Sequence, residues 1–222
     1  MQKPVYINNN NWYRIPEDPD IHLHTLITTK NFYNDSSDLT LQFTHDSINN
    51  TIMVYRNYKP IQYFFNVQAD FGIGAIDHYP IEIADFNGDG LKDIKVLIPN
   101  NGCGLASYYY YVAFLIQNKD GTFTQYFFRN IGAGCERDFA HDGKLEFISE
   151  EYSRLNGHAY WNFNIYKITN DSLENISLKY NYPMLVPFNN LETFTRTKVP
   201  FNKSDYLESP NRFIIDHGTK VH

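Results

Sequence analysis

The sequence predicts an all-β fold, and three observations support that prediction. Aromatic residues make up 17% of the 222 residues, and nearly all of them are Tyr (18) or Phe (17), which favour the half-buried surface of strands. Short runs of alternating apolar and polar residues recur between residues 39 and 168, with turn residues between them. No long stretch in that range keeps the apolar period of a helix. We therefore expect a compact β-propeller-like fold or a sandwich of short antiparallel strands.

The predicted elements fall into three regions. Residues 1–38 form a polar, Asn-rich extension with one short strand, residues 39–182 form the β domain, and residues 183–222 form a Pro-punctuated extension packed on that domain. Strands of the β domain are predicted at Leu39–Phe43, Thr51–Tyr55, Ile61–Val67, Ile94–Ile98, Tyr108–Ile116, Thr122–Phe128, Lys144–Ser149 and Trp161–Ile168. Turn residues such as Asp142-Gly143 separate them. No repeat of constant period is found, although the simple Asp-Gly turns faintly resemble the segment 85–90.

Composition and charge exclude several classes of function. The chain has 19 basic and 25 acidic residues, a net charge of −6, which repels nucleic acid and acidic membrane surfaces. No apolar run reaches the length of about 18 residues that a membrane-spanning helix needs. Motifs of nucleophile-elbow hydrolases and nucleotide-binding loops are missing from the sequence. We expect no nucleic-acid partner, no membrane insertion and no enzymatic activity.

The two cysteines, Cys103 and Cys135, both lie in Gly-rich turns. We predict a disulfide between them that ties two loops together in an oxidising compartment; free structural thiols and a catalytic thiol are the alternatives. The N-terminal residues lack the apolar stretch of a secretory signal. The expected location is the periplasm, with a signal peptide already removed, and the cytoplasm is the alternative.

The segment 85–93 carries the clearest chemical pattern. It reads D-x-N-x-D-G-x-x-D, in which alternate side chains converge as the chain curls around a cation. Because calcium prefers oxygen ligands, the pattern predicts a Ca²⁺ site, and an ordinary acidic surface turn is the alternative. The twelfth position is Val96 rather than Glu, and the flanks alternate like strands, which indicates a strand-loop-strand site instead of an EF-hand. The predicted ligands are the side chains of Asp85, Asn87, Asp89 and Asp93 and the backbone carbonyl of Leu91.

This loop and its flanks resemble the calcium loops of FG-GAP and VCBS-type β-propeller repeats. Those proteins normally carry several such loops, whereas one is recognised here. Over about residues 39–178, the order of strands, calcium loop, Tyr-rich strand and Asp-Gly turn is similar to a single-calcium-loop, β-propeller-like family. That family includes the xanthomonad periplasmic immunity proteins and resembles the inhibitors of i-type lysozyme. The resemblance implies inhibition of lysozyme-type hydrolases by a loop that enters the enzyme's cleft.

The nearest counterpart of that inhibitory loop is Asn156-Gly157-His158-Ala159-Tyr160, with Asn in place of Ser in a Ser-Gly-x-x-Tyr-like motif. Arg154 could pair with the catalytic carboxylates of a glycosidase, and Tyr160 could serve as an aromatic anchor. The alternative is a plain hairpin whose tyrosine packs inward. The predicted partner-binding residues are Arg154, Asn156, Gly157, His158 and Tyr160.

These features together predict a calcium-binding immunity or inhibitor protein that blocks a secreted, peptidoglycan-degrading effector. The alternative is a calcium-stabilised adhesion or glycan-binding module. Strand alternation places two rings of the run Tyr108–Tyr111 outside, where they could contact a glycan or a protein.

Overall fold

The computed structural model describes residues 5–6, 12–14, 23–45, 50–65, 81–99, 110–131, 136–169, 172–188, 199–210 and 213–221. It confirms the all-β class, because its strands form three antiparallel sheets, none of which closes into a barrel. Short 3-10 turns lie at Ser177–Tyr180 and Lys203–Tyr206. None of them is long and apolar enough to cross a membrane.

The strands are numbered in chain order. They are β1 (Val5–Tyr6), β2 (Trp12–Arg14), β3 (Leu23–Thr29), β4 (Leu39–His45), β5 (Asn50–Arg56), β6 (Lys59–Phe65), β7 (Glu82–Ala84), β8 (Asp93–Pro99), β9 (Tyr110–Gln117), β10 (Phe123–Ile131), β11 (Glu136–Arg137), β12 (Glu146–Leu155), β13 (His158–Thr169), β14 (Ser172–Asn175), β15 (Met184–Pro187), β16 (Ile214–Asp216) and β17 (Thr219–Lys220).

The chain divides into two compact units, Met1–Arg129 with Ile214–His222, and Asn130–Phe213. The boundary between the units at residues 129 and 130 lies within the predicted β domain 39–182, and residues 214–222 of the predicted C-terminal extension belong to the first unit. The physical reason is strand pairing. β16 pairs with β10 and β17 pairs with β6, so two strands of the predicted C-terminal extension complete sheets of the first unit.

The first unit is built from two six-stranded sheets that share one core. Their orders are β1-β7-β8-β9-β10-β16 and β17-β6-β5-β4-β3-β2. Alternation decides which residues enter the core. Leu39, Leu41 and Phe43 of β4 belong to it, whereas Thr40 and Gln42 lie on the other face, where Thr40 is buried and Gln42 is partly exposed. The partners of the core residues of β4 come from the other sheet and include Ile94, Val96, Leu115 and Phe127. A β-sandwich therefore fits this unit.

The second unit is one sheet in the order β11-β12-β13-β14, and β15 also pairs with β13. Its longest feature is the hairpin of β12 and β13, which closes at Asn156 (φ 50°) and Gly157 (φ 80°). Two consecutive positive φ values are typical of a type I′ turn, for which Asn-Gly is the preferred pair. The hairpin thus places the predicted partner-binding loop at its tip.

Candidate metal centre

The predicted calcium loop connects β7 to β8, and Asp85 organises it. Oδ1 of Asp85 accepts hydrogen bonds from the N–H groups of Gly88 (2.7 Å) and Asp89 (3.0 Å), and Oδ2 accepts one from Gly90 (2.9 Å). Gly88 and Gly90 have φ values of 73° and 87°, a left-handed conformation that glycine adopts without steric cost. The loop therefore curls around the first predicted ligand, as the sequence pattern requires.

The middle of the loop is held by the next two predicted ligands. Oδ1 of Asp89 accepts the N–H of Leu91 at 2.8 Å. Oδ1 of Asn87 accepts the N–H of Asp89 at 3.1 Å, and Nδ2 of Asn87 donates to Oδ2 of Asp89 at 3.1 Å. Asp89 is exposed, while Asn87 and Leu91 are partly exposed. These residues are thus oriented by local hydrogen bonds on the solvent side of the loop.

Asp93 differs from the other predicted ligands because it is fully buried. Its Oδ2 accepts the N–H of Phe86 and its Oδ1 accepts the N–H of Gln117 in β9, both at 2.8 Å. Burial raises the pKa of Asp93 to about 7, and the charges of Asp89 and Asp85 add to the rise, while the two hydrogen bonds oppose it. A carboxylate here is costly to ionise unless a positive charge approaches it.

No Lys, Arg or His among the described residues forms an ion pair with Asp85, Asp89 or Asp93. Lys92 lies within the loop, but its Nζ donates to the backbone carbonyl of Asn31 at 2.9 Å. Across the part of the chain that the structure describes, no three His, Cys, Asp or Glu side chains are grouped so that they could hold a metal ion. The predicted ligands therefore do not form a ready-made coordination sphere.

A second loop, residues 138–145 between β11 and β12, repeats the first. It reads Asp-Phe-Ala-His-Asp-Gly-Lys-Leu and is followed by Glu146, which occupies the place of Asp93. Four hydrogen bonds correspond one to one: Asp142 N–H to Asp138 Oδ1 (3.1 Å), Gly143 N–H to Asp138 Oδ2 (3.1 Å), Lys144 N–H to Asp142 Oδ1 (3.0 Å) and Phe139 N–H to Glu146 Oε2 (2.7 Å). His141 and Gly143 also repeat the left-handed conformations of Gly88 and Gly90, with φ values of 54° and 83°.

Sequence analysis missed this second loop because it treated Asp142-Gly143 as a simple turn between strands. The shared pattern is D-F-x-x-D-G-x-x followed by Asp or Glu, and a comparison of 85–93 with 138–146 would have found it. The repeat spans both the backbone conformation and the acidic residue that begins the following strand. The two loops are therefore copies of one structural motif.

The second copy contains its own cation. Nζ of Lys167 lies 2.8 Å from Oδ2 of Asp142 and 3.0 Å from Oε1 of Glu146. Lys167 in β13 is the cross-strand neighbour of Glu146 in β12. Burial by itself would lower the pKa of Lys167, but its hydrogen bonds to the two carboxylates outweigh burial and the pKa is raised. In the first copy, the register of β8 with β9 places Ile116 at this position, one residue beyond the pair Ile94–Leu115. An apolar side chain thus replaces the ammonium beside Asp93.

The predicted partner-binding residues lie at the tip of the β12–β13 hairpin. Arg154, Asn156, Gly157 and His158 are exposed, but Tyr160 is only 6% exposed and packs inward. The expectation that Tyr160 is a surface anchor is therefore not met, and the inward-packed alternative describes its position. Tyr160 packs inward because β13 lies between two strands at this point: Tyr160 pairs with Ser153 of β12 on one side and with Pro187 of β15 on the other.

The exposed aromatic of this hairpin is Tyr152, which sequence analysis missed. It is 45% exposed, and its hydroxyl accepts a hydrogen bond from Nε of Arg154 at 3.1 Å. The backbone carbonyl of Arg154 accepts a further bond from the hydroxyl of Tyr206 at 3.0 Å. Because residues two apart in a strand share a face, the spacing of Tyr152 and Arg154 could have revealed the pair.

Four of the predicted residues lie outside the described ranges. They are Cys103 and Cys135, predicted to form a disulfide, and Tyr108 and Tyr109 of the tyrosine run. The disulfide stays a prediction.

No family model matches this chain, and neither a curated protein nor a solved structure matches it. The resemblance to FG-GAP and VCBS-type proteins and to lysozyme inhibitors therefore stays a prediction. Any assignment of function rests on the residues and geometry described above.

Proposed function

We propose that this protein is a calcium-stabilised, non-enzymatic inhibitor that blocks a secreted, lysozyme-like peptidoglycan hydrolase. The observation that carries the proposal is the difference between the two copies of the loop. In one copy an ammonium group neutralises the buried acid, and in the other, within the described residues, no basic side chain does so. The propeller-like form of the fold belongs to the same proposal, since the meanders β3–β6, β7–β10 and β11–β14 each have the four antiparallel strands of a propeller blade.

A cation in the first loop would perform the function that Lys167 performs in the second. A buried carboxylate requires a compensating charge or protonation. The donors available are three carboxylates, one amide oxygen and one backbone carbonyl, without nitrogen or sulfur, and such a set suits Ca²⁺ better than a transition metal. Binding would require Asp85, Asn87 and Asp89 to turn toward Asp93, because the present arrangement is held by hydrogen bonds within the loop.

The inhibitor part is supported by the exposed end of the β12–β13 hairpin. Arg154 carries a planar donor group suited to the paired carboxylates of a glycosidase. Its contact with Tyr152 and the two-residue turn at Asn156-Gly157 hold the tip in one conformation, which lowers the entropy lost on binding. His158 stands directly opposite Leu155 at the end of the hairpin and adds a second exposed polar group.

The calcium proposal is tested by thermal unfolding of the EDTA-treated protein with and without CaCl₂. A site filled at 100 times its Kd stabilises the fold by about 2.7 kcal/mol, so calcium should raise the Tm clearly. Asp89→Asn should abolish the rise, since it removes a ligand charge while the amide oxygen still accepts the N–H of Leu91. The matched control is Asp142→Asn in the second loop, which should keep the rise. A wild-type Tm that calcium does not change, with no calcium found by elemental analysis, would overturn the proposal.

The inhibitor proposal is tested by peptidoglycan hydrolysis assays with lysozymes of the chicken, goose and invertebrate types. We expect at least one to be inhibited, and Arg154→Ala to weaken that inhibition at least tenfold. The control is Lys179→Ala, which removes an exposed basic residue elsewhere in the second unit. Unchanged inhibition by Arg154→Ala would reject the hairpin as the contact, and no inhibition of any enzyme type would reject the proposed activity.

A further inference from the structure

We propose that the first unit carries a binding pocket for a neutral saccharide on the outer face of β3, β4 and β5. The pocket has a volume of about 550 Å³, within the range of small-molecule sites. It is lined by Leu26, Thr28, Lys30, Thr40, Gln42, Tyr55 and Tyr58. This inference is independent of the calcium loop and of the hairpin tip.

Strand register explains why these side chains meet. Thr28 pairs with Thr40, which pairs with Tyr55, so the three side chains form one row across three strands. The core residues Ile27 and Leu41 alternate with this row and point to the other face. The pocket is therefore formed by the sheet itself rather than by a loop.

The floor of the pocket offers hydroxyl groups. Oγ1 of Thr28 and Oγ1 of Thr40 lie 2.9 Å apart and share one hydrogen bond. A hydroxyl has one donor and two acceptor sites, so this pair keeps one donor and several acceptor sites for a ligand. Beside it, the hydroxyl of Tyr55 donates to Oε1 of Gln42 at 2.5 Å. Hydroxyl and amide groups of this kind suit the hydroxyls of a sugar.

The rim of the pocket is an aromatic ring held in place. Tyr58 is 66% exposed and has a φ of 62° in the β5–β6 turn, a conformation that bulky residues rarely adopt. Its hydroxyl is bonded by Nζ of Lys30 at 3.0 Å, and that ammonium also pairs with Asp38 at 2.5 Å. Backbone strain retained at an exposed ring is a reason to infer a function for the ring.

Charge selects the class of ligand. Among the described residues that line the pocket, the basic one is Lys30, and Asp38 neutralises it, so these residues offer no unbalanced positive charge for a phosphate or a carboxylate. A pyranose ring combines an apolar face, which packs on a phenol ring, with equatorial hydroxyls that hydrogen-bond to the floor. The geometry therefore favours an uncharged sugar over a nucleotide or an acidic saccharide.

The test is titration calorimetry with chitotetraose, cellotetraose, mannotetraose and, as an acidic comparison, tetragalacturonate. We expect at least one neutral tetrasaccharide to bind, and Tyr58→Gly to weaken binding about tenfold or more. Glycine adopts the φ of this turn without strain, so this variant should fold at least as well as the wild type, which circular dichroism and the Tm will check. The matched control is Tyr152→Ala, an exposed tyrosine of the other unit, which should leave sugar affinity unchanged.

Three results would overturn the inference: no binding of any neutral tetrasaccharide, binding of the acidic one alone, or affinity that Tyr58→Gly does not change. The result is separable from the proposed function. Tyr58→Gly should still inhibit the hydrolase and respond to calcium, whereas Arg154→Ala should still bind the sugar.

Discussion

Replacing Lys167 with Met removes the ammonium group of the second loop while keeping a side chain of similar length. The side chain of Lys167 is 16% exposed and that of Glu146 is fully buried. Removing one partner of a buried pair costs roughly 3–5 kcal/mol, and the more exposed contact with Asp142 adds at most about 1 kcal/mol. Because Glu146 keeps its hydrogen bond from the N–H of Phe139, we expect a loss of about 3 kcal/mol, which corresponds to a Tm lowered by roughly 6–12 °C.

The assay is urea and thermal unfolding at pH 7 in EDTA. The matched control is Lys179→Met, whose pair with Glu174 is largely exposed at both ends, and its cost should stay below about 0.5 kcal/mol. Adding Glu146→Gln to Lys167→Met should recover most of the loss, since the amide oxygen still accepts the N–H of Phe139 without a buried charge. The reasoning is refuted if Lys167→Met costs no more than Lys179→Met, or if the double variant is as unstable as the single one.

The same variant tests whether the ammonium occupies the place of a metal ion. In an Asp89→Asn background, which silences the first loop, calcium should raise the Tm of Lys167→Met and leave that of the parent unchanged. The reason is that Asp138, Asp142 and Glu146 then lack an internal cation. If calcium acts equally on both proteins, the analogy between the ammonium and the ion does not hold.

Three further predictions concern single groups. Burial raises the pKa of Glu150 to about 7 from its usual 4.5, so the folded state loses stability as the pH rises between those values. Glu150→Gln should therefore stabilise the protein at pH 8 and have little effect at pH 4. An equal effect of the substitution at both pH values, measured by urea unfolding, would contradict this prediction. Gly157 has a φ of 80° and open space around it. Gly157→Ala should therefore lower the free energy of unfolding by roughly 1–2 kcal/mol through backbone strain alone. An unchanged midpoint of urea unfolding would argue against the type I′ turn. Phe86 is fully buried, and its ring centroid lies 5.1 Å from that of Phe114. Calorimetry of Phe86→Ala should therefore show that the free energy of unfolding falls by roughly 3–5 kcal/mol. A fall below about 1 kcal/mol would show that the ring does not pack as described.

The sequence by itself determined the all-β class and the backbone of the predicted calcium loop, because both depend on neighbouring residues. Alternation in β4 is a local pattern, and Leu39, Leu41 and Phe43 are buried as it requires. The curl of the loop is also local, since Asp85 bonds the N–H groups of residues three to five positions further on. Such bonds depend on side-chain reach and on glycine conformation, which the printed residues specify.

Only the tertiary structure decided which charges, rings and hydroxyls meet. Lys167 is 25 residues from Asp142, and nothing in the spacing indicates that the register of β12 with β13 brings its ammonium between two carboxylates. The inward position of Tyr160 likewise depends on strand pairing on both of its sides, and the row of Thr28 and Thr40 exists only once β3 and β4 are aligned. A shift of register by one residue would turn each of these side chains to the opposite face, so the sites of this protein depend on pairings between residues that lie far apart in the chain.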